Sequence, residues 1–289
     1  MLLAAVIACG GSETSSVSVA GDSAAAVTGT EVAAAEFRVP ADSEMPDGVL
    51  GASIRRGRAL LNGTRDSLPE HVGNELRCTS CHLENGTRAN SMPWVGVYAR
   101  FPQYRSRNDD VNVLADRISD CFERSMNGRP LPADGQEVKD MIAYMAFLSQ
   151  GYPVGTDVEG QGLPRMEPLE ADSARGAEVF AASCAVCHGV GGQGTPAAPP
   201  LWGPESYNIG AGMARLRTAA SFIRHNMPFG NPNLTDQQAF DVAAYVNSHP
   251  RPDLPGKEND WPRGNPPPDV AYPTRAAQGG AAASTGGAP

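Results

Sequence analysis

The pentapeptide Cys-X-X-Cys-His occurs twice, as Cys78-Thr79-Ser80-Cys81-His82 and as Cys184-Ala185-Val186-Cys187-His188. No other feature of the chain restricts its fold as tightly. In this pattern the two cysteines form thioethers to the vinyl groups of one haem, and the adjacent histidine ligates the iron. A redox Cys-X-X-Cys would want a βαβ setting, and a tetrahedral zinc site would want its two cysteine pairs closer together. Two copies about a hundred residues apart, each in a helical setting, meet neither condition. The chain is expected to carry two covalently bound haem c groups. Cys78, Cys81 and His82 would hold one; Cys184, Cys187 and His188 would hold the other.

The rest of the sequence arranges itself around these motifs. Residues 1–9 read as the remnant of a secretory signal, an apolar run ending in Val6-Ile7-Ala8-Cys9, which has the form of a bacterial lipobox. This predicts an exported, periplasmic protein with a possible lipid anchor through Cys9. Residues 10–45, dominated by Ala, Ser, Thr, Val and Gly without helical or strand period, read as a flexible tether. Residues 251–289 are rich in Pro, Gly and Ala and read as a disordered tail. Between them lie a first haem domain (46–150), a linker with Gly, Pro and few apolar side chains (151–168) and a second haem domain (169–250). Of six cysteines, four are used by the haems, leaving Cys9 and Cys121. No run elsewhere is apolar for long enough to cross a membrane as a helix.

A formal charge of −9 argues against a nucleic-acid surface, so no nucleic-acid partner is expected. It also means that any site for an anion must be locally basic. The stretch 76–131 meets that requirement, with eight arginines, no lysine and six acidic residues.

Helical periodicity repeats in the two halves. In each, a helix leads into the haem motif (53–62 and 172–182) and an amphipathic helix closes the domain (134–150 and 235–248). Asp172 is a candidate N-cap, and Thr235-Asp236-Gln237-Gln238 has the capping-box form. Tyr144 and Tyr245 take equivalent places in the closing helices. The expected fold is therefore all-α, two cytochrome c-type haem domains in tandem, with 85–116 as loops and short helices.

The second axial ligand decides what each haem can do. Met227 lies 39 residues after His188, in a loop and followed by proline, which makes it better ligand material than Met213. For the first haem, spacing points two ways. Cys121 lies 39 residues after His82, the interval from His188 to Met227, whereas Met126 lies 18 residues before Tyr144, the interval from Met227 to Tyr245.

The segment Asp120-Cys121-Phe122-Glu123-Arg124-Ser125-Met126-Asn127-Gly128-Arg129-Pro130-Leu131-Pro132 closely resembles a motif of the thiosulfate dehydrogenases, dihaem enzymes that couple two thiosulfates into tetrathionate. The stretch Trp94 to Arg107 resembles the same family's segment between haem and ligand. The likeness spans roughly residues 46–250. It implies that Cys121 is the distal ligand of a catalytic haem, so that the metal ligands are His82, Cys121, His188 and Met227. It further implies substrate-site roles for Arg107, Arg117 and Ser125, with Glu84 as the acidic residue that follows the first haem histidine. The implied partners are thiosulfate, tetrathionate and a soluble electron acceptor such as a small cytochrome c or a high-potential iron-sulfur protein. Some relatives carry a lysine where Asn226 stands beside Met227, so no lysine should compete for the second iron here. Chemically, a thiolate ligand is electron-donating, and paired guanidinium groups offset the repulsion between two small dianions. The competing readings are a non-enzymatic dihaem electron carrier, ligated through Met126 with Cys121 merely buried, and the cysteine-ligated haem subunit of the sulfur-oxidising multienzyme system. Met227 speaks against the latter, which lacks a His/Met domain of this kind. A terminal small-molecule reductase fits less well, because both haems have a strong sixth ligand to hand.

Overall fold

The computed structural model describes residues 34–276. Its architecture is two helix-pair domains. In the first, α1 (Gly48–Asn62) leads through the one-turn α2 (Thr64–Ser67) to the first haem motif, and α5 (Gln136–Phe147) closes the domain by packing on α1. In the second, α6 (Ser173–Ser183) runs into α7 (Ala185–His188), and α9 (Asp236–Ser248) packs on α6. The N-terminal signals in the second half act as read. Asp172 accepts from the N–H groups of Ala174 and Arg175, and Thr235 accepts from that of Gln238.

Both crossings are built the same way. A Cβ on Gly57 would meet the carbonyl oxygen of Asp140 at 1.9 Å, and one on Gly176 would meet that of Asp241 at 2.0 Å. Only glycine lets the two backbones approach this closely. Beside each glycine an arginine anchors the carboxylate of the facing helix. Arg56 donates to Asp140 through Nε and Nη2 (2.8 and 2.9 Å), and Arg175 donates to Asp241 in the same way (2.8 and 2.9 Å). Gln136 and Gln237, one turn earlier on the closing helices, add a further donor to each carboxylate. The halves are thus one motif used twice: Arg-Gly on the entering helix, and Gln-X-X-X-Asp-X-X-X-Tyr on the closing one.

Two helices and a hairpin go beyond the sequence reading. The stretch 85–116 is not loops and short helices alone. It holds an antiparallel hairpin, β1 (Gln103–Arg105) with β2 (Asp110–Asn112), in register Tyr104 to Val111. The helix α4 (Leu114–Arg124) follows, with Leu114, Ala115, Ile118 and Phe122 buried along one face. Its counterpart in the second half, α8 (Leu216–Asn226), packs on α9 and ends at Met227.

The tether, linker and tail assignments are corrected where their residues are described. Ala35 bridges Val158, Phe37 packs on the first core and Met45 is buried, so the segment from 34 onwards is docked. In the linker, Val158 enters the core and Gln161 donates to the Val95 carbonyl. The tail as far as 276 folds back over the molecule, with Trp261 and Tyr272 buried. Sparse aromatic side chains dock these Pro- and Gly-rich segments, which an average composition conceals. Cys9 lies outside the described residues. Among those residues no helix is long and apolar enough to cross a membrane.

Candidate functional site

Each haem motif presents its histidine in the form an iron needs. His82 donates from Nδ1 to the Met92 carbonyl at 2.5 Å, and His188 does so to the Pro199 carbonyl at 2.8 Å. That bond fixes the tautomer and leaves Nε2 with a free lone pair. Burial pushes the His82 pKa down to about 4 and also lowers that of His188, which keeps both rings neutral. Trp94 lies against the His82 ring with centroids 5.1 Å apart.

The surroundings fit a large apolar group. In the second half, Cys184 packs with Leu201, Trp202, Ile223 and Tyr245 against a core of Phe180, Leu234, Val242 and Val246. Burial raises the Cys184 thiol to about 11 and those of Cys78 and Cys81 to about 12. Thr64 donates to the Cys78 sulfur at 3.3 Å. Met227 is half-buried just past the end of α8. Met213, the other candidate, packs among apolar side chains.

Cys121 and Met126 part company in the structure. Met126 is buried in the first apolar core at 2% exposure. Cys121, on α4, presents its sulfur where the charges of Cys78 and Cys81 would be felt, and Arg117 Nη1 donates to it at 3.0 Å. The two residues are one turn apart on the helix, so α4 itself sets this contact. Interaction with the sulfur raises the Arg117 pKa.

Three further arginines of the basic stretch, Arg105, Arg107 and Arg124, gather around this pair. Arg105 is partly buried, and its guanidinium has no hydrogen-bond or ion-pair partner among the described residues. Burial, together with the nearby charge of Arg117, lowers its pKa, and Asp120, Cys121 and Arg124 also act on it. Arg107 donates to the Gly210 carbonyl at 3.0 Å and lies 4.7 Å over the Trp261 ring. Burial brings its pKa down to about 10, still cationic at neutral pH. Arg124 makes a two-pronged pair with Asp260, 2.8 Å on each arm.

Of the residues singled out in sequence, Arg107, Arg117, Cys121 and Ser125 fall in this region. Ser125 caps the end of α4, its N–H on the Cys121 carbonyl at 2.9 Å. Its hydroxyl has no hydrogen-bond partner among the described residues. Glu84 stands apart: it is paired with Arg88 at 2.9 Å, and no contact joins it to the cluster among the described residues. Arg105 and Asp260 were missed. The basic stretch held the signal for Arg105; nothing local marked Asp260.

A side-chain hydrogen bond ties the two halves together beside the haem motifs. Asn226, fully buried beside Met227, donates to the Asn90 carbonyl at 2.9 Å, two residues before the Met92 that holds His82. Its Oδ1 has no partner among the described residues.

Fold and site together define a protein of two cytochrome c domains, a haem c-binding architecture used twice. Residues 70–154 match the family model of the SoxA/TsdA cytochrome c domain, and residues 173–250 match that of cytochrome c. The chain is 50% identical over 226 residues to the thiosulfate dehydrogenase of Allochromatium vinosum, covering 74% of this chain and 84% of the relative. It is 42% identical over 266 residues to that of Psychrobacter arcticus, covering 89% and 81%. Among solved structures, the thiosulfate dehydrogenase TsdBA from Marichromatium purpuratum superposes with a TM-score of 0.76 at 38% identity. That match covers 82% of this chain and 55% of the other, so the present chain spans about half of that longer protein. The chain belongs to the thiosulfate dehydrogenase family.

Proposed function

We propose that the enzyme joins two thiosulfates into tetrathionate beside Cys121. Two thiosulfate dianions form one sulfur–sulfur bond and give up two electrons; no proton is gained or lost. The observation that carries this reading is the 3.0 Å contact from Arg117 to the Cys121 sulfur, set within a cluster of four arginines. Bringing two dianions together is opposed by their own charge, and guanidinium groups offset that by charge-assisted hydrogen bonds while fixing both substrates in one geometry. Arg117 and Arg107 bind the anions, and the Ser125 hydroxyl adds a donor nearby. Glu84, paired with Arg88, has a weaker claim to a role. The same site run backwards would reduce tetrathionate.

His82 with Cys121 would hold one haem c, and His188 with Met227 the other, each attached through its Cys-X-X-Cys thioethers. When bound, these groups supply a one-electron relay from the cysteine-ligated to the methionine-ligated haem and out to a soluble acceptor, such as a small cytochrome c or a high-potential iron-sulfur protein. Asn226 fixes the Met227 loop against the loop that holds His82, which supports a constant distance between the two centres. Covalent haem attachment and the Val6-Ile7-Ala8-Cys9 signal support a periplasmic site, with a lipid anchor on Cys9.

The rival reading, a pure electron carrier with Met126 as ligand, has Met126's core packing against it. Cys121→Gly tests the ligand assignment. The account expects both haems retained and tetrathionate production abolished; unchanged turnover would return the assignment to Met126.

A further inference from the structure

Beyond the second family match, residues 251–276 form a strap that runs back over the first domain. It is anchored to the second domain, where Asp269 accepts from Arg215 Nε at 3.0 Å and from the Arg217 N–H at 3.0 Å. It reaches the first through Asp260 and Trp261. Asp260 is buried, with its side chain 8% exposed, yet every partner it has comes from elsewhere on the molecule or further along the strap. Arg124 grips both its oxygens, Arg107 Nε lies 3.9 Å from one of them, and the buried Tyr272 hydroxyl donates to the same oxygen. The Trp261 N–H donates to the Arg107 carbonyl at 2.9 Å while its ring lies beneath the Arg107 guanidinium. The strap therefore fixes both the main chain and the side chain of Arg107, and the head of Arg124.

We propose that Asp260 is a positioning residue for the substrate site: it holds Arg107 and Arg124 side by side near Cys121, so that a pair of sulfur dianions meets a cluster already in place. The physical need is plain. Arg107 and Arg124 repel one another, and without an anion between them two long side chains would separate and lose a common orientation. Asp260 neutralises that repulsion at the rear of the pair. Among the described residues the Arg105 guanidinium has no hydrogen-bond partner and that of Arg117 has only the Cys121 sulfur, so these two stay open to an incoming anion.

This inference rests on the reading that the cluster beside Cys121 is the thiosulfate site. The test is Asp260→Asn in the full-length protein with both haems attached. Asparagine keeps the volume, loses the charge and turns an N–H towards Arg124. Two quantities are read: KM and kcat for thiosulfate, and the dissociation constant of tetrathionate for the fully oxidised protein, which has no electrons with which to reduce it. The loss of one charge-assisted contact should weaken both binding quantities about tenfold, with kcat within about twofold, the pattern of lost uniform binding. Tyr272→Phe, which removes only the hydroxyl, should weaken them about threefold and serves if Asp260→Asn does not fold. Asp269→Asn loosens the strap at its other end; it should lower the unfolding temperature without moving either binding quantity. Unchanged affinity in Asp260→Asn would overturn the proposal, as would an equal loss of affinity in Asp269→Asn. A wild-type protein that bound tetrathionate in an Asp260-dependent way but oxidised no thiosulfate would sink the proposed reaction and leave the positioning role standing.

Discussion

Arg117 and Cys121 lie one turn apart on α4, which makes their contact a property of the helix rather than of a loop. Replacing Arg117 with alanine should cut kcat/KM for thiosulfate on the order of a hundredfold, two charge-assisted contacts at about tenfold each. Steady-state kinetics with both haems intact checks this. Arg117→Lys should recover little of the loss, because a point charge cannot reproduce a planar fork. Sequence carried much of this site. The proposed attachment cysteines and histidines are read from spacing alone, and Met227 as a candidate ligand from its loop and its proline. Between Cys121 and Met126, spacing was evenly divided. What separates them is burial, Met126 lying in the core and Cys121 beside a guanidinium, and burial is a property of the folded chain. Asp260 was not legible as part of this group, since it meets Arg124 across a sequence separation of 136 residues.

At the scale of elements, the two crossings make the sharpest stability predictions. Gly57→Ala or Gly176→Ala forces a methyl group into a backbone carbonyl and should cost about 3 kcal/mol, read from denaturant unfolding of the oxidised protein. Acid should strike the same joints. Burial alone would raise the Asp140 pKa, but hydrogen bonds from Arg56, Ser53 and Gln136 bring it below the ordinary value, and Arg175 leads the lowering at Asp241. A carboxylate depressed on folding contributes its full stability above its unfolded pKa, near 4, and loses it as pH falls through the lower, folded value. Asp140→Asn should therefore be less stable than wild type at pH 7 and converge on it towards pH 2, a comparison made by urea midpoints. The helices at these crossings were legible because their apolar residues recur at helical period and, in the second half, because Asp172 and Thr235 mark their starts. α4 was not, because five of its eleven residues are charged and its buried face shows only Leu114, Ala115, Ile118 and Phe122. The Arg-Gly and Gln-X-X-X-Asp repeat was present in the sequence all along. Its meaning depends on two helices meeting at the glycine.

The whole molecule is more continuous than its composition implies. The segments on either side of the haem domains dock through single residues, Phe37 and Met45 at one end and Trp261 and Tyr272 at the other. A chain stopped after Pro250 loses burial of both strap aromatics, about 1.5–3 kcal/mol each, and should melt about 10 °C lower, as differential scanning calorimetry can record. The acidic charge of −9 sharpens the electrostatic problem, because the molecule as a whole repels the anion that its arginine cluster is proposed to hold. Raising ionic strength should therefore relieve the long-range repulsion while weakening the exposed part of the local attraction. The central claim is that thiosulfate is coupled beside Cys121 and Arg117, and it is best tested by counting product. Purified holoprotein is mixed with thiosulfate and ferricyanide at mildly acidic pH, and tetrathionate is quantified alongside the ferricyanide consumed. The account predicts one tetrathionate for every two ferricyanide reduced, with the yield collapsing in Arg117→Ala. No tetrathionate from wild-type protein whose haems are both attached and reducible by dithionite would contradict it and leave an electron carrier in its place.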